Sequence, residues 1–520
     1  MIFYSLSLVS LISITWALAA GIVWWWFREG RRFPPGPRPW PVIGNLNLLG
    51  KIPHRSLHKL SKTYESLMHL QFGSYNVVVA NSPDMAKEFL KTHDSLFASR
   101  PQLAVGKYLT YNFSNLVWGS YGPHWRQGRK IFLTHLFSSK KLELYEYIRV
   151  EETKDFLTRL HGSRGQQIHI RDHLYRRNLS VIMRIVLGKK YFNDDSYQPS
   201  ESSSAESIRT LGELQEMFDE FLILNGAFLI GDWIPWLAWL DLQGYVKRMK
   251  ILRGKFDKFF DFVIKDHHQL ARAGTGDHKE RAKDMMDIIL DLLDDSDIDV
   301  KLNIDSVKGF TLDLLSGGTD TSATTVEWAM AELMKNPEKI KKATQELDKV
   351  IGQERWVEEK DMPNLPYLDA IMKETMRLHP AATFLGQRLA MEDCQVKQYH
   401  ISKGTLVLIN IWSMGRDPTL WDSPEEFLPE RFLNKAIDIK GHNFELLPFG
   451  SGRRICPGYT LGLKMIQSSL ANLLHGFNWI LPGQMSPQDL DMEDIYGITS
   501  PMKHPLVAVV QPRLPPRLYT

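Results

Sequence analysis

Cysteine is nearly absent: the chain has two, Cys394 and Cys456, in 520 residues. That excludes a disulfide framework of the secreted kind and a tetrahedral all-cysteine metal site. It also favours a body that faces the cytosol. An excess of either charge is missing too. Lys and Arg number 63 against 60 Asp and Glu, so there is no basic footprint for nucleic acid. No internal repeat and no linker near the middle divides the chain, and 43% hydrophobic content suits one large core. Strand signals are few and short, mainly Val77 to Ala80 and Leu406 to Ile411. Most of the remainder has helical period, which predicts a mainly α body with small peripheral β-sheets.

Charge is missing altogether from Met1 to Phe27, a run long enough to cross a bilayer as one helix. Trp24, Trp25 and Trp26 suit the membrane interface, and Arg28, Arg31 and Arg32 follow. The positive-inside rule then puts the body in the cytosol. Ala17-Leu18-Ala19 offers the competing reading of a cleaved signal peptide, but no basic segment precedes the apolar run and a basic stop-transfer cluster follows it. Asn112-Phe113-Ser114 and Asn178-Leu179-Ser180 match the glycosylation pattern and go unused in a cytosolic body. Pro34-Pro35-Gly36-Pro37-Arg38-Pro39-Trp40-Pro41 can be neither helix nor central strand and reads as a stiff strut. The expected organisation is an anchor (1–27), a basic, proline-rich hinge (28–45) and a single catalytic domain (46–520). Ser200 to Ser207 and Ala273 to Asp284 are polar and read as surface loops. Met217 to Leu242 is rich in Phe and Trp; it is either a packed helix pair or a loop dipping into the membrane.

Cys456 sits in Phe449-Gly450-Ser451-Gly452-Arg453-Arg454-Ile455-Cys456-Pro457-Gly458. One cysteine can give one thiolate to a metal whose other ligands come from a macrocycle. Haem iron needs such an anionic sulfur when it must cleave O–O. Gly450, Gly452 and Gly458 let backbone pass close to a flat porphyrin, and Arg454 can pair with a propionate. Leu461, Leu463, Met465, Ile466 and Leu470 have helical spacing, so Cys456 lies just before a helix N-terminus, where N–H groups favour a thiolate. The alternative is a buried structural cysteine in a glycine turn. The spacing Phe449, Gly452, Arg454, Cys456, Gly458 resembles the haem-binding loop of the cytochrome P450 family, the haem–thiolate monooxygenases. Cys394 has no such context and reads as a packed thiol.

Leu312 to Lys335 is the strongest helix signal, with Leu314, Gly317, Gly318, Thr321 and Thr325 on one face. Each of the two adjacent glycines costs roughly 1 kcal/mol against alanine. A local opening of the helix, with room for a diatomic ligand, would compensate. Asp320 and Thr321 then supply an acid and a hydroxyl for relaying the protons that reductive O–O cleavage consumes. An ordinary helix with a tolerated Gly-Gly is the alternative. Gly318-Thr319-Asp320-Thr321-Ser322 resembles the family's oxygen-binding motif, with Gly317 standing where the family usually has alanine.

The resemblance covers essentially the whole chain and is nearest to plant microsomal A-type members. It implies the cytochrome P450 fold and haem b with Cys456 as axial ligand. Around that cofactor it implies Trp125, Arg129, Arg388 and Arg454 as propionate partners, with Phe449 and Gly458 in the same binding set. Gln387 replaces the proline usual before that arginine. Glu374, Arg377 and Arg431 match the family's structural charge triad. Arg126, Lys130, Lys140 and Lys141 are basic and near the cysteine side; they are solvated surface or a dock for an acidic electron donor. The implied enzyme draws electrons from NADPH through NADPH–cytochrome P450 reductase, sits in the endoplasmic-reticulum membrane by one helix, and hydroxylates a lipophilic specialised metabolite of the terpenoid, phenylpropanoid, flavonoid or alkaloid kind. Specificity is expected in Pro101 to Ser120, Met217 to Leu242, the face near Gly317, Ala382 to Leu385 and Ile498 to Ser500. Three alternatives stand beside it: a haem–thiolate isomerase or dehydratase, which has no use for the Asp320-Thr321 pair; oxidative C–C cleavage or ring formation; and a non-catalytic membrane scaffold.

Overall fold

The computed structural model describes residue 15 and residues 32–192, 210–273, 283–295, 298–433 and 435–519. The expected anchor, the Ser200 to Ser207 loop and most of the Ala273 to Asp284 loop lie outside the described residues. Among those described, no helix is long and apolar enough to cross a membrane.

The proline run is extended and lies on the first sheet. His69 N–H donates to the Pro35 carbonyl at 2.8 Å, and Asn45 Nδ2 donates to Arg38 O at 3.2 Å. Gly36 is required there, since a Cβ would meet His69 O at 1.8 Å. From this point the longer elements run α1 (Pro53–Tyr64), β1 (Leu67–Phe72), β2 (Tyr75–Ala80), α2 (Pro123–Ile131), α3 (Glu146–Gly162), β3 (Gln167–His169), α4 (Ile170–Leu187), α5 (Leu211–Gly226), α6 (Tyr245–Ala273) and α7 (Met285–Asp294). Then follow α8 (Ile304–Lys335), α9 (Pro337–Val350), α10 (Pro366–Leu378), β4 (Phe384–Leu389), β5 (Cys394–Val396), β6 (Tyr399–Ile401), β7 (Leu406–Asn410), α11 (Tyr459–Gly476), β8 (Phe477–Ile480) and β9 (Val507–Pro512). The strands form a sheet of order β1-β2-β7-β4, a second of order β3-β9-β8 and a β5-β6 hairpin. Among the described residues only β2 and β7 pair in parallel, with Val77 opposite Leu406. The body is therefore mainly α with small sheets, as the periodicity indicates.

Helix α8 is the axis of the core and packs against α4, α11 and α10. It opens on a capping box, Asn303 with Ser306, and stops at Asn336 because Pro337 cannot continue it. It starts eight residues before the Leu312 expected from sequence, at Ile304. The expected local opening at the glycines is not there: α8 is continuous. The two glycines are compensated separately. A Cβ on Gly318 would meet Ile182 Cδ1 at 2.5 Å, so Gly318 lets α4 approach closely; a Cβ on Gly317 would meet nothing within 4 Å. Hydroxyls along α8 bond back to the carbonyl four residues earlier: Thr311 to Val307, Ser316 to Leu312, Thr319 to Leu315 and Thr321 to Gly317.

Glu374, Arg377 and Arg431 meet. Arg377 grips Glu374 with two bonds of 2.7 and 2.8 Å, and Arg431 Nε adds a third at 3.0 Å, all on a fully buried carboxylate. The Met217 to Leu242 stretch is packed only in part. Phe218, Phe221 and Trp233 are buried, whereas Trp236 and Trp239 are exposed on a short turn after α5.

Candidate active site

Between α8 and the Cys456 loop lies a cavity of about 400 Å³. Cys456, Trp125, Arg129, Arg388, Phe449, Arg454, Gly458 and Thr321 all border it. Cys456 is held just ahead of α11, whose N-cap is Gly458, and it lines the cavity. Burial pushes that thiol's pKa up, while the Gly458 N–H and the Arg129 charge pull it down. Gly450 and Gly452 both have positive φ, 72° and 70°, which glycine adopts without strain. Their uses differ. Gly450 borders the cavity, but Gly452 turns away from it: a Cβ there would strike Leu90 O at 2.3 Å. Gly452 therefore serves the turn and not the cavity, a correction to the reading of all three glycines as a porphyrin bed.

Four guanidinium groups converge on one side. Arg454 donates to Ala98 O, Leu116 O and Gly119 O at 2.7, 3.0 and 2.6 Å, and lies 4.2 Å above the Trp125 ring. Trp125's own N–H is taken by Leu116 O at 3.0 Å, so its part here is as a platform for Arg454. Arg388 meets Asp94 at 3.3 Å and Ser451 O at 3.1 Å, while its Nε is buried with no partner among the described residues. Arg129, four residues after Trp125 on α2, comes up half-buried on the thiol side. Arg100 is the fourth; it donates to Val117 O at 3.0 Å and to the Gly386 and Gln387 carbonyls. Burial, joined by repulsion from neighbouring guanidinium groups, lowers Arg454 to about 8 and Arg100 to about 9, and burial against the pull of Asp94 lowers Arg388 to about 10.

The rest of the lining is largely apolar, with Leu116, Val117, Phe221, Leu222, Leu314, Ala381, Ala382, Leu385 and Ile498. Asp313 of α8 pins its upper edge, accepting from Asn115 Nδ2 at 2.8 Å and from the Leu116 and Val117 N–H groups at 2.7 and 3.1 Å. Thr321 faces the cavity but Asp320 does not, since consecutive helix residues point about 100° apart. The Asp320 carboxylate is buried behind α8, paired with Arg171 at 2.9 Å and accepting from the Thr499 hydroxyl at 2.8 Å. Arg126, Lys130 and Lys140 are exposed and Lys141 half-buried. Cys394 is a half-buried thiol in β5, remote from the cavity lining.

Arg100, Asp94 and Arg171 were not singled out from sequence, and Thr499 was reached only as part of the Ile498 to Ser500 stretch expected to set specificity. Arg100 left one signal, a lone cation in the apolar stretch Leu96 to Val105; Asp94 and Arg171 gain meaning only from long-range contacts.

The cytochrome P450 family model matches residues 34–508. The chain belongs to the cytochrome P450 family. A trimethyltridecatetraene synthase of Zea mays is 42% identical over 507 residues, covering 94% of this chain and 90% of that one. A flavonoid 3'-monooxygenase of Petunia hybrida is also 42% identical, covering 94% and 93%. Among solved structures, a zebra fish cytochrome P450 with abiraterone matches at a TM-score of 0.73 and 26% identity, over 89% of this chain and 100% of that one. This cytochrome P450 is thus an oxygen-incorporating oxidoreductase with haem as cofactor. Its cavity fits haem on its own evidence. One cysteine lines a largely apolar cavity, and a crowd of mutually repelling guanidinium groups, one with an orphaned Nε, calls for a dianion such as a pair of propionates.

Proposed function

We propose that Cys456 would give its thiolate to the iron of haem b, that Arg129, Arg388 and Arg454, with Trp125 against Arg454, would hold the propionates, and that Phe449 and Gly458 belong to the same binding set. Bound haem supplies the oxygen-inserting chemistry. The chain's own residues orient and enclose a lipophilic substrate, and Asp320 and Thr321 move protons toward the cavity. Electrons come from NADPH through NADPH–cytochrome P450 reductase, and the reaction is hydroxylation of a lipophilic specialised metabolite. The single observation behind this reading is that Cys456 and Thr321 line one largely apolar cavity. Residues 1–27 are proposed as a single-pass anchor in the endoplasmic-reticulum membrane, followed by the hinge at 28–45 and the catalytic domain at 46–520.

Oxidative formation of a product other than an alcohol is the second reading. Relatives named as a trimethyltridecatetraene synthase and a dimethylnonatriene synthase resemble the chain as closely as those named flavonoid monooxygenases. The test is a panel of flavonoids and terpenoid alcohols, scored first by spin-state shift and then by turnover with NADPH and the reductase. Cys456→Ala is expected to abolish both the thiolate band of the reduced carbon-monoxide complex and all turnover. A fully active Cys456→Ala enzyme overturns the assignment.

A further inference from the structure

The acid and the hydroxyl of the relay face different ways. Thr321 looks into the cavity and donates to Gly317 O at 2.8 Å, whereas both bonded partners of the Asp320 carboxylate lie outside α8. One of those partners returns to the cavity. Thr499, near the C-terminal end of the chain, borders the cavity and donates from Oγ1 to Asp320 Oδ2 at 2.8 Å. It is 7% exposed, and its segment is clamped on both flanks: Trp328 Nε1 of α8 donates to Ser500 O at 3.0 Å, and Ser500 N–H donates to Ala381 O at 2.8 Å. A hydroxyl so held is a rigid fixture of the wall, and its proton and lone pairs can still rotate between two partners.

We propose that Thr499 is the group that carries protons from Asp320 into the cavity, and that Arg171 fixes Asp320 for this task. In the step, Asp320, at rest a carboxylate paired with Arg171 and accepting from Thr499, first takes a solvent proton on Oδ2; Thr499 then turns its O–H into the cavity, releases that proton to an acceptor there and takes the Oδ2 proton in its place. One O–H bond breaks and one forms at Oγ1, no electron moves, and Asp320 is left as a carboxylate against Arg171. Solvent supplies the Asp320 proton along the edge where Arg171 is 20% exposed. The inference rests on the reading of Asp320 as the acid, and supplies the link that reading lacks.

The experiment uses full-length holoenzyme with NADPH–cytochrome P450 reductase, and compares Thr499→Val, Thr499→Ser and Asp320→Asn. NADPH oxidation without added substrate is timed in water and in deuterium oxide. Carbon monoxide bound to the reduced holoprotein serves as a second probe, its C–O stretch sensing hydroxyl donors in the cavity. Thr499→Val is expected to keep the thiolate band, slow NADPH oxidation by roughly 10²-fold, the low end for a lost proton-transfer group, and enlarge the solvent isotope effect. It should also shift the C–O stretch. Thr499→Ser should restore rate, isotope effect and stretch. A Thr499→Val enzyme with wild-type rate and isotope effect overturns the route. If Asp320→Asn is then slow, the acid stands without it; if Asp320→Asn is also unaffected, the acid assignment falls as well.

Discussion

Single side chains on α8 divide by which way they face. Gly317 meets open cavity, so a methyl added there enters the ligand space. Gly317→Ala is expected to weaken binding of the bulkiest ligands about ten-fold, the lower range for one methyl-sized change in an apolar pocket, while sparing small ones; spin-shift titration reads this. Glu327, seven residues on from Asp320, faces inward. Burial raises its pKa to about 7 against the pull of Arg171 and the Leu506 N–H, and its Oε2 has no partner among the described residues. A carboxyl raised in the folded state holds its proton there after the unfolded chain has lost it. Stability from this group is therefore full below its ordinary value of 4.5 and falls as pH rises toward 7. Glu327→Gln removes that loss, so the variant should gain on the parent by up to about 3 kcal/mol between those limits, read as thermal loss of the thiolate band across pH. At this scale the Cys456 loop was legible because it is local, with the whole pattern inside ten residues. Arg100 and the bond from Thr499 to Asp320 were not, because each depends on carbonyls or a carboxylate far away in sequence.

Helices and strands were legible in proportion to their length and to how local their signals are. Helix α8 announces itself by period, but its start at Ile304 is set by the Asn303 capping box, a signal outside the apolar pattern. Strand β7 ends one residue early because the Asn410 side chain accepts from Ser413 N–H and starts a helical turn. Strands β1 and β4 passed unnoticed: the six-residue β1 buries most residues on both faces, and β4 carries a bulge between Leu385 and Arg388, so neither alternates cleanly. The joint between α10 and the segment bearing Arg431 centres on one buried carboxylate, beside the bond from Tyr367 to Glu430. Glu374→Ala leaves Arg377 and Arg431 unpaired, at a cost of about 3–5 kcal/mol. Reduced holoprotein yield and a lowered thermal midpoint are the expected outcome, and unchanged stability would remove the triad from the framework.

For the molecule as a whole, the outer surface near the hinge is unusually apolar. Trp239 is 81% exposed, Trp236 and Trp40 64% each, and Val42 and Leu242 are exposed nearby in sequence to one or another of them. Trp233, buried between these segments, is edge-on to Phe72 and Tyr75 and ties the turn after α5 to the hairpin of the first sheet. Deleting residues 1–27 should therefore release only part of the protein from membranes in co-sedimentation, and adding Trp236→Ser and Trp239→Ser should release the rest. The arginine cluster has a consequence at the same scale. Arg454 alone grips the main chain at three points between Ala98 and Gly119, while the Asp313 carboxylate holds that stretch from the far side. A dianion bound to these guanidinium groups would therefore also brace the segment that Arg454 holds, and an enzyme stripped of its pigment should be cut by proteases within 98–119 before anywhere else in the core.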